Sequence, residues 1–181
     1  MRALVVVDMQ NDFIDGALGS KEAQSIVENV KKKIREYEER GDTVIYTQDT
    51  HHEETYPYTE EGRNLPVLHC ICGTPGWELF NGAESFVYRK EGVGSFNASN
   101  FLQLLASHDV SGVPQIEVVG LCTDICVISN AVILRSALLN AHIIVDAACC
   151  AGVTPERHDT ALNAMKALQI EVINQGKEPW R

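Results

Sequence analysis

Valine-rich runs of strand length recur along this chain, separated by segments of helical periodicity, and that alternation limits the available folds more than any other feature. Ala3 to Met9 ("ALVVVDM"), Thr43 to Thr47 ("TVIYT"), Ser85 to Tyr88 ("SFVY"), Ile116 to Leu121 ("IEVVGL"), Ala141 to Asp146 ("AHIIVD") and Glu171 to Ile173 read as strands. Between them, Lys21 to Arg40 repeats Ile26, Val27, Val30, Ile34 and Tyr37 at helical spacing, and helices are expected over Asn97 to Ser107, Asp124 to Leu139 and Thr154 to Leu168. Strands that are apolar almost throughout have no face to give to water, so the sheet they form must be covered on both sides. The expectation is a three-layer, doubly wound α/β fold: a six-stranded parallel sheet in the order 3-2-1-4-5-6 with helices on both faces.

The length of 181 residues suits one domain spanning residues 1–181. A net charge of −10, from 15 basic and 25 acidic residues, argues against a nucleic-acid or anionic-membrane partner, since both need a basic face. In "MRALVVVDMQNDF" the apolar run reaches only from Ala3 to Val7 before Asp8 interrupts it, which fits neither a signal peptide nor a membrane span, and a cytoplasmic address is expected. The six cysteines (Cys70, Cys72, Cys122, Cys126, Cys149, Cys150) are then expected as reduced thiols, with Cys149 and Cys150 as inert core.

Ligands of open α/β sheets sit at the carboxyl ends of the strands. Strand one delivers Asp8 there, strand two Asp49, strand three Lys90, and strand four the corner "CTDIC". Any one of these could be a turn former or a cap, but together they place ionisable and nucleophilic groups on one rim. Cys126 is the candidate nucleophile: it falls in the first turn of the following helix, where unpaired N–H groups and the helix dipole favour thiolate, and Lys90 would add to that. Asp8 would carry the proton, and the N–H groups of Cys122 and Cys126 would receive an oxyanion.

Residues 49–83 break the alternation, a length of loop that compact domains usually reserve for function. Asp49 and His51 stand two apart, His69 returns later, and Glu60 and Glu61 lie between, a donor set suited to one divalent metal: zinc, iron or manganese. His52 is expected to point away. Cys70 and Cys72 alone make a weak zinc site.

The segments "VVVDMQNDF", "TQDTH", "LPVLHCICGTPGWEL", "YRKEGVGSF" and "VVGLCTDICV" follow one another as they do in the isochorismatase-like cysteine hydrolases, and the chain most resembles their nicotinamidase and pyrazinamidase branch. The resemblance implies a catalytic triad of Asp8, Lys90 and Cys126 and a cis peptide between Leu121 and Cys122 that aims the Cys122 N–H at the oxyanion. It makes Thr123 and Asp124 turn and cap residues, and sets Phe13 and Leu121 against the substrate. It also implies a metal, zinc first, held by Asp49, His51, His69 and a fourth ligand that is Glu61 in preference to Glu60. Where many relatives carry a tryptophan before the second metal histidine, this chain has Leu65 and Pro66. The implied activity is hydrolysis of nicotinamide to nicotinate and ammonia, in NAD salvage, by a homo-oligomer (dimer or tetramer). The alternatives are another small amide, carbamoyl or ureido substrate, or a redox protein using Cys122 and Cys126 as a dithiol.

Overall fold

The structure, a computed structural model, describes residues 2–83, 87–90 and 115–181, with the backbone alone at Tyr88 and Lys90. Six parallel strands form one sheet in the order β3-β2-β1-β4-β5-β6: β1 Ala3–Val7, β2 Thr43–Asp49, β3 Val87–Lys90, β4 Gln115–Leu121, β5 His142–Ala151 and β6 Glu171–Ile173. Central β1 shows why no alternation appears in the sequence. Leu4 and Val6 pack into the layer under helix α2 (Lys21–Glu39), while Ala3, Val5 and Val7 pack into the opposite layer, under α4 (Ile128–Ala137) and α5 (Pro155–Ala167).

Helix α2 starts where Ser20 accepts a hydrogen bond from the Ala23 N–H, and it buries Ala23, Ile26, Val30, Ile34 and Tyr37. Removing each of the larger side chains from water contributes about 1.5–3 kcal/mol before conformational entropy is counted. Helix α5 opens in the same way, with Thr154 accepting from the Arg157 N–H and Pro155 in the first turn.

Three elements depart from the sequence reading. The helix expected over Asp124 to Leu139 is divided: Thr123–Val127 is a single π turn, closed by the Val127 N–H donating to the Cys122 carbonyl at 3.0 Å, and α4 follows it. Strand β5 does not stop at Asp146 but runs to Ala151, because small residues let it bulge: Val118 pairs with Val145 and Gly120 with Cys150, five steps along β5 against two along β4. The loop over residues 49–83 contains a 3-10 turn at Tyr56–Tyr58 and the helix α3 (Glu60–Asn64), and α1 (Asn11–Ile14) follows β1. All three are too short to carry a period. The expected helix from Asn97 to Ser107, and Ser85 and Phe86 of the expected third strand, lie outside the described residues.

Candidate active site and metal centre

The rim begins at Asp8, directly after β1, fully buried and with a φ of 45°. Thr47 of β2 holds it twice: its hydroxyl donates to Asp8 Oδ1 at 2.5 Å and accepts the Asp8 N–H at 3.0 Å. Side chain and backbone of Asp8 are thereby fixed to the neighbouring strand. Thr47 escaped the sequence reading because a threonine in a strand reads as a β-former; its one signal was sharing a strand face with Asp49, two residues on.

The second component is the corner after β4, where the Leu121–Cys122 peptide is cis and Cys126 lies buried in the π turn. Thr123 and Asp124 do not serve as caps of their own helix. Thr123 Oγ1 is 2.7 Å from His158 Nδ1, Asp124 Oδ1 accepts the Val153 N–H at 2.9 Å, and Asp124 Oδ2 is 2.6 Å from Arg157 Nε. The corner is thus fastened to the first turn of α5, a partner well separated in sequence.

Strand β2 and the loop after it bring Asp49, His51, Glu61 and His69 together, with one donor atom of each within 4.8 Å of the others. His51 Nε2 is 3.1 Å from Asp49 Oδ2 and 3.8 Å from Glu61 Oε1; His69 Nε2 is 3.8 Å and 3.6 Å from the same two oxygens. Backbone bonds set this up. His69 Nδ1–H donates to the Val67 carbonyl at 2.8 Å, which leaves Nε2 with its lone pair facing the carboxylates. The His51 N–H donates to the Cys70 carbonyl and the Cys72 N–H to the His51 carbonyl, at 2.9 and 2.8 Å, tying the two histidine segments side by side. Gln10 clasps the Asp49 backbone, accepting its N–H at 2.7 Å and donating to its carbonyl at 2.8 Å. The Tyr56 ring lies against both imidazoles, at 4.6 and 5.3 Å between centroids, and its hydroxyl is pushed up to about 12 by burial and by the charges of Glu61 and Asp49.

This donor set fits a metal. One buried carboxylate and one largely buried one stand beside two buried imidazoles, and with Glu61 Oε2 lacking a hydrogen-bond partner they concentrate negative charge where water is scarce, a state that a divalent cation relieves. Donors about 2.0–2.2 Å from a tetrahedral zinc stand about 3.4 Å from one another, close to the separations here. Glu60 is not among them: its carboxylate points to solvent, 3.3 Å from Arg63 Nη1. His52 is exposed.

A cavity of about 650 Å³ joins the two components, and Phe13, Asp49, Glu61, His69, Leu121, Cys122 and Cys126 all line it. The Phe13 ring stands 5.5 Å from that of His69. Ile125, Gly152, Val153 and Arg157 line it as well, and the sequence reading missed them. Following the carboxyl-end rule as far as β5 would have found Gly152 and Val153. Asp8 and His51 sit behind this lining. The Lys90 backbone pairs with Asp49 across β3 and β2, at the same rim, and its side chain lies outside the described residues.

Fold and site define an α/β protein in which a cysteine-bearing turn and a carboxylate–imidazole cluster open on one cavity. The chain belongs to the isochorismatase domain family, which matches residues 2–176. Within it the chain is nicotinamidase/pyrazinamidase-like. It is 28% identical to a nicotinamidase of Schizosaccharomyces pombe, over 98% of this chain and 94% of that one. The crystal structure of a Pyrococcus horikoshii pyrazinamidase in complex with zinc superposes with a TM-score of 0.80 at 28% identity, covering 96% of this chain and 98% of that one. An N-carbamoylsarcosine amidase from Thermoplasma acidophilum superposes with a TM-score of 0.76 at 28% identity, over 99% and 97% of the two chains.

Proposed function

We propose that this chain is a cysteine amidohydrolase whose substrate is nicotinamide, with Asp8, Lys90 and Cys126 as catalytic residues and a zinc ion held by Asp49, His51, Glu61 and His69. The observation that carries the reading is the shared cavity: Cys126, three of the four metal donors and Phe13 line the same space. When bound, the metal supplies a Lewis-acid site for the ring nitrogen of the substrate.

The chain's own groups account for the chemistry. Asp8, held by Thr47, takes the proton of the Cys126 thiol. The thiolate attacks the carboxamide carbon, and the oxyanion that forms is received by the N–H groups of Cys122 and Cys126. As the carbon–nitrogen bond breaks, Asp8 returns its proton to the leaving ammonia. Water, deprotonated by Asp8, then attacks the thioester; nicotinate departs, and the proton passes back to sulfur. Lys90 keeps Asp8 ionised. Phe13 and Leu121 wall the aromatic ring.

A carbamoyl or ureido substrate is the second reading, favoured by the likeness to an N-carbamoylsarcosine amidase and by Arg157 on the cavity wall, a cation able to meet an acidic substrate. Relative kcat/KM for nicotinamide, pyrazinamide and an N-carbamoyl amino acid separates the two. Nicotinamide should lead by at least tenfold, and a lead for the carbamoyl compound would overturn the assignment.

A further inference from the structure

Behind the nucleophile corner lies a buried polar chain that the proposed chemistry does not use. Thr123 and His158 are fully buried and Glu178 nearly so. Thr123 Oγ1 is 2.7 Å from His158 Nδ1, and His158 Nε2 is 3.2 Å from Glu178 Oε1. Glu178 is held in turn by the tail itself: both carboxylate oxygens accept the Gly176 N–H, at 3.1 and 2.9 Å, and Arg181 Nε bonds to Oε2. Arg181 also pairs with Asp159 at 2.6 Å, and the Trp180 ring stands edge-on to His158 at 5.1 Å.

The protonation states give this chain a direction. Burial holds His158 below its ordinary range. Burial works against Glu178 as a carboxylate, yet the backbone N–H groups, Arg181 and His158 outweigh it and keep Glu178 below its ordinary value. A neutral imidazole facing an anionic acceptor must donate from Nε2 and accept at Nδ1, so the Thr123 hydroxyl donates to it. Thr123 opens the π turn, between Cys122 and Cys126. Close packing stiffens the same joint, because a Cβ on Gly152, in the cavity wall, would come within 2.9 Å of His158 N and Cβ.

We infer that His158 and Glu178 are positioning residues: the C-terminal tail fixes the imidazole, the imidazole fixes Thr123, and Thr123 fixes the turn that presents Cys126 and the Cys122 amide. The inference rests on Cys126 being the nucleophile. Buried hydrogen-bond chains are costly when only partly satisfied, so breaking the far end should be felt at the near end.

The test is the rate at which iodoacetamide alkylates Cys126, read by mass spectrometry at neutral pH on metal-loaded protein. It is accompanied by kcat and KM for nicotinamide and by metal content. Thr123→Val and Glu178→Ala should each slow alkylation and lower kcat by about tenfold, with KM and metal content unchanged. The double variant should be no worse than either single one, and Thr123→Ser, which keeps the hydroxyl, should behave as the parent. Should Glu178→Ala fail to fold, Glu178→Gln, which loses the charge and keeps an acceptor, should show about a threefold effect in the same direction. Parent-like alkylation in the valine and alanine variants, with only a lowered Tm, would overturn the inference. A parent protein that leaves nicotinamide intact would count against the substrate instead, while the alkylation rates still decide the positioning role.

Discussion

Gly120 joins the fold to the site at one atom, so Gly120→Ala tests both. The residue lies on β4 opposite Val7 of β1, has a φ of +120°, and stands two residues before Cys122. A Cβ there would fall 2.1 Å from the Val7 carbonyl oxygen and 2.8 Å from its nitrogen. Both are shorter than ordinary contact, the first by more than an ångström, and the atoms in the way are backbone of the central strand pair, which no side-chain rotation can clear. The unfavourable φ costs about 1–2 kcal/mol and the forced separation about 2–3 kcal/mol, together about 3–5 kcal/mol. For a domain of this size that corresponds to a Tm lower by about 6–20 °C. The same displacement separates Asp8, which follows Val7, from the cysteine corner, so kcat should fall by about 100-fold in the protein that remains folded. Scanning calorimetry and ammonia release, the latter measured well below the variant's own Tm, read the two effects. A Tm within 2 °C of the parent, or a kcat within about twofold, would refute the reasoning.

The metal cluster predicts that Glu61→Gln loses metal by about 10–100-fold in affinity while Glu60→Gln retains it; elemental analysis after dialysis checks this, and equal loss from both would contradict the cluster. Thr47→Val removes the hydroxyl that holds Asp8 and should lower kcat by about tenfold at unchanged metal content, checked by kinetics and elemental analysis together. The tail predicts acid sensitivity. His158 titrates below its ordinary 6.5, so the unfolded chain takes up the proton first and stability, full above that value, declines below it. Asp159 is depressed by Arg181, and Glu178 is depressed despite its burial, from ordinary values of 3.8 and 4.5, so their contribution is present above those values and lost as pH falls through the folded ones. Tm should therefore fall from pH 7 to pH 4, and the fall should be shallower in a chain ending at Lys177; equal slopes would contradict the assignment.

Where the sequence was legible, burial and period were the reason. Strand β1 announces itself because Leu4 and Val6 serve one layer and Val5 and Val7 the other, leaving no polar position before Asp8. Helix α2 is readable from the stripe Ile26, Val27, Val30, Ile34, Tyr37. Asp8, Asp49 and the cysteine corner follow from the rule that such sheets bind at their carboxyl edge. What stayed hidden was set by short or irregular backbone. Choosing Glu61 over Glu60 depends on the phase of α3, a helix of only five residues. The π turn at Thr123–Val127 differs from an α turn by one residue of hydrogen-bond spacing, which hydrophobic periodicity does not encode. His158 sits on α5 among Ala161, Leu162 and Met165 and looks like core; only the tail folding back to supply Glu178 gives it a role. The long reach of β5 depends on its bulge against Gly120.

The central claim is that Cys126 breaks a carbon–nitrogen bond, and the most direct measurement is ammonia release from nicotinamide by the metal-loaded protein beside its Cys126→Ala variant. The account predicts multiple turnovers from the parent and none above the uncatalysed background from the variant, at equal metal content and equal Tm. Turnover retained by Cys126→Ala would contradict it, because the account gives the other cysteine on the cavity wall, Cys122, a role only through its backbone N–H and forms the thioester at Cys126 alone.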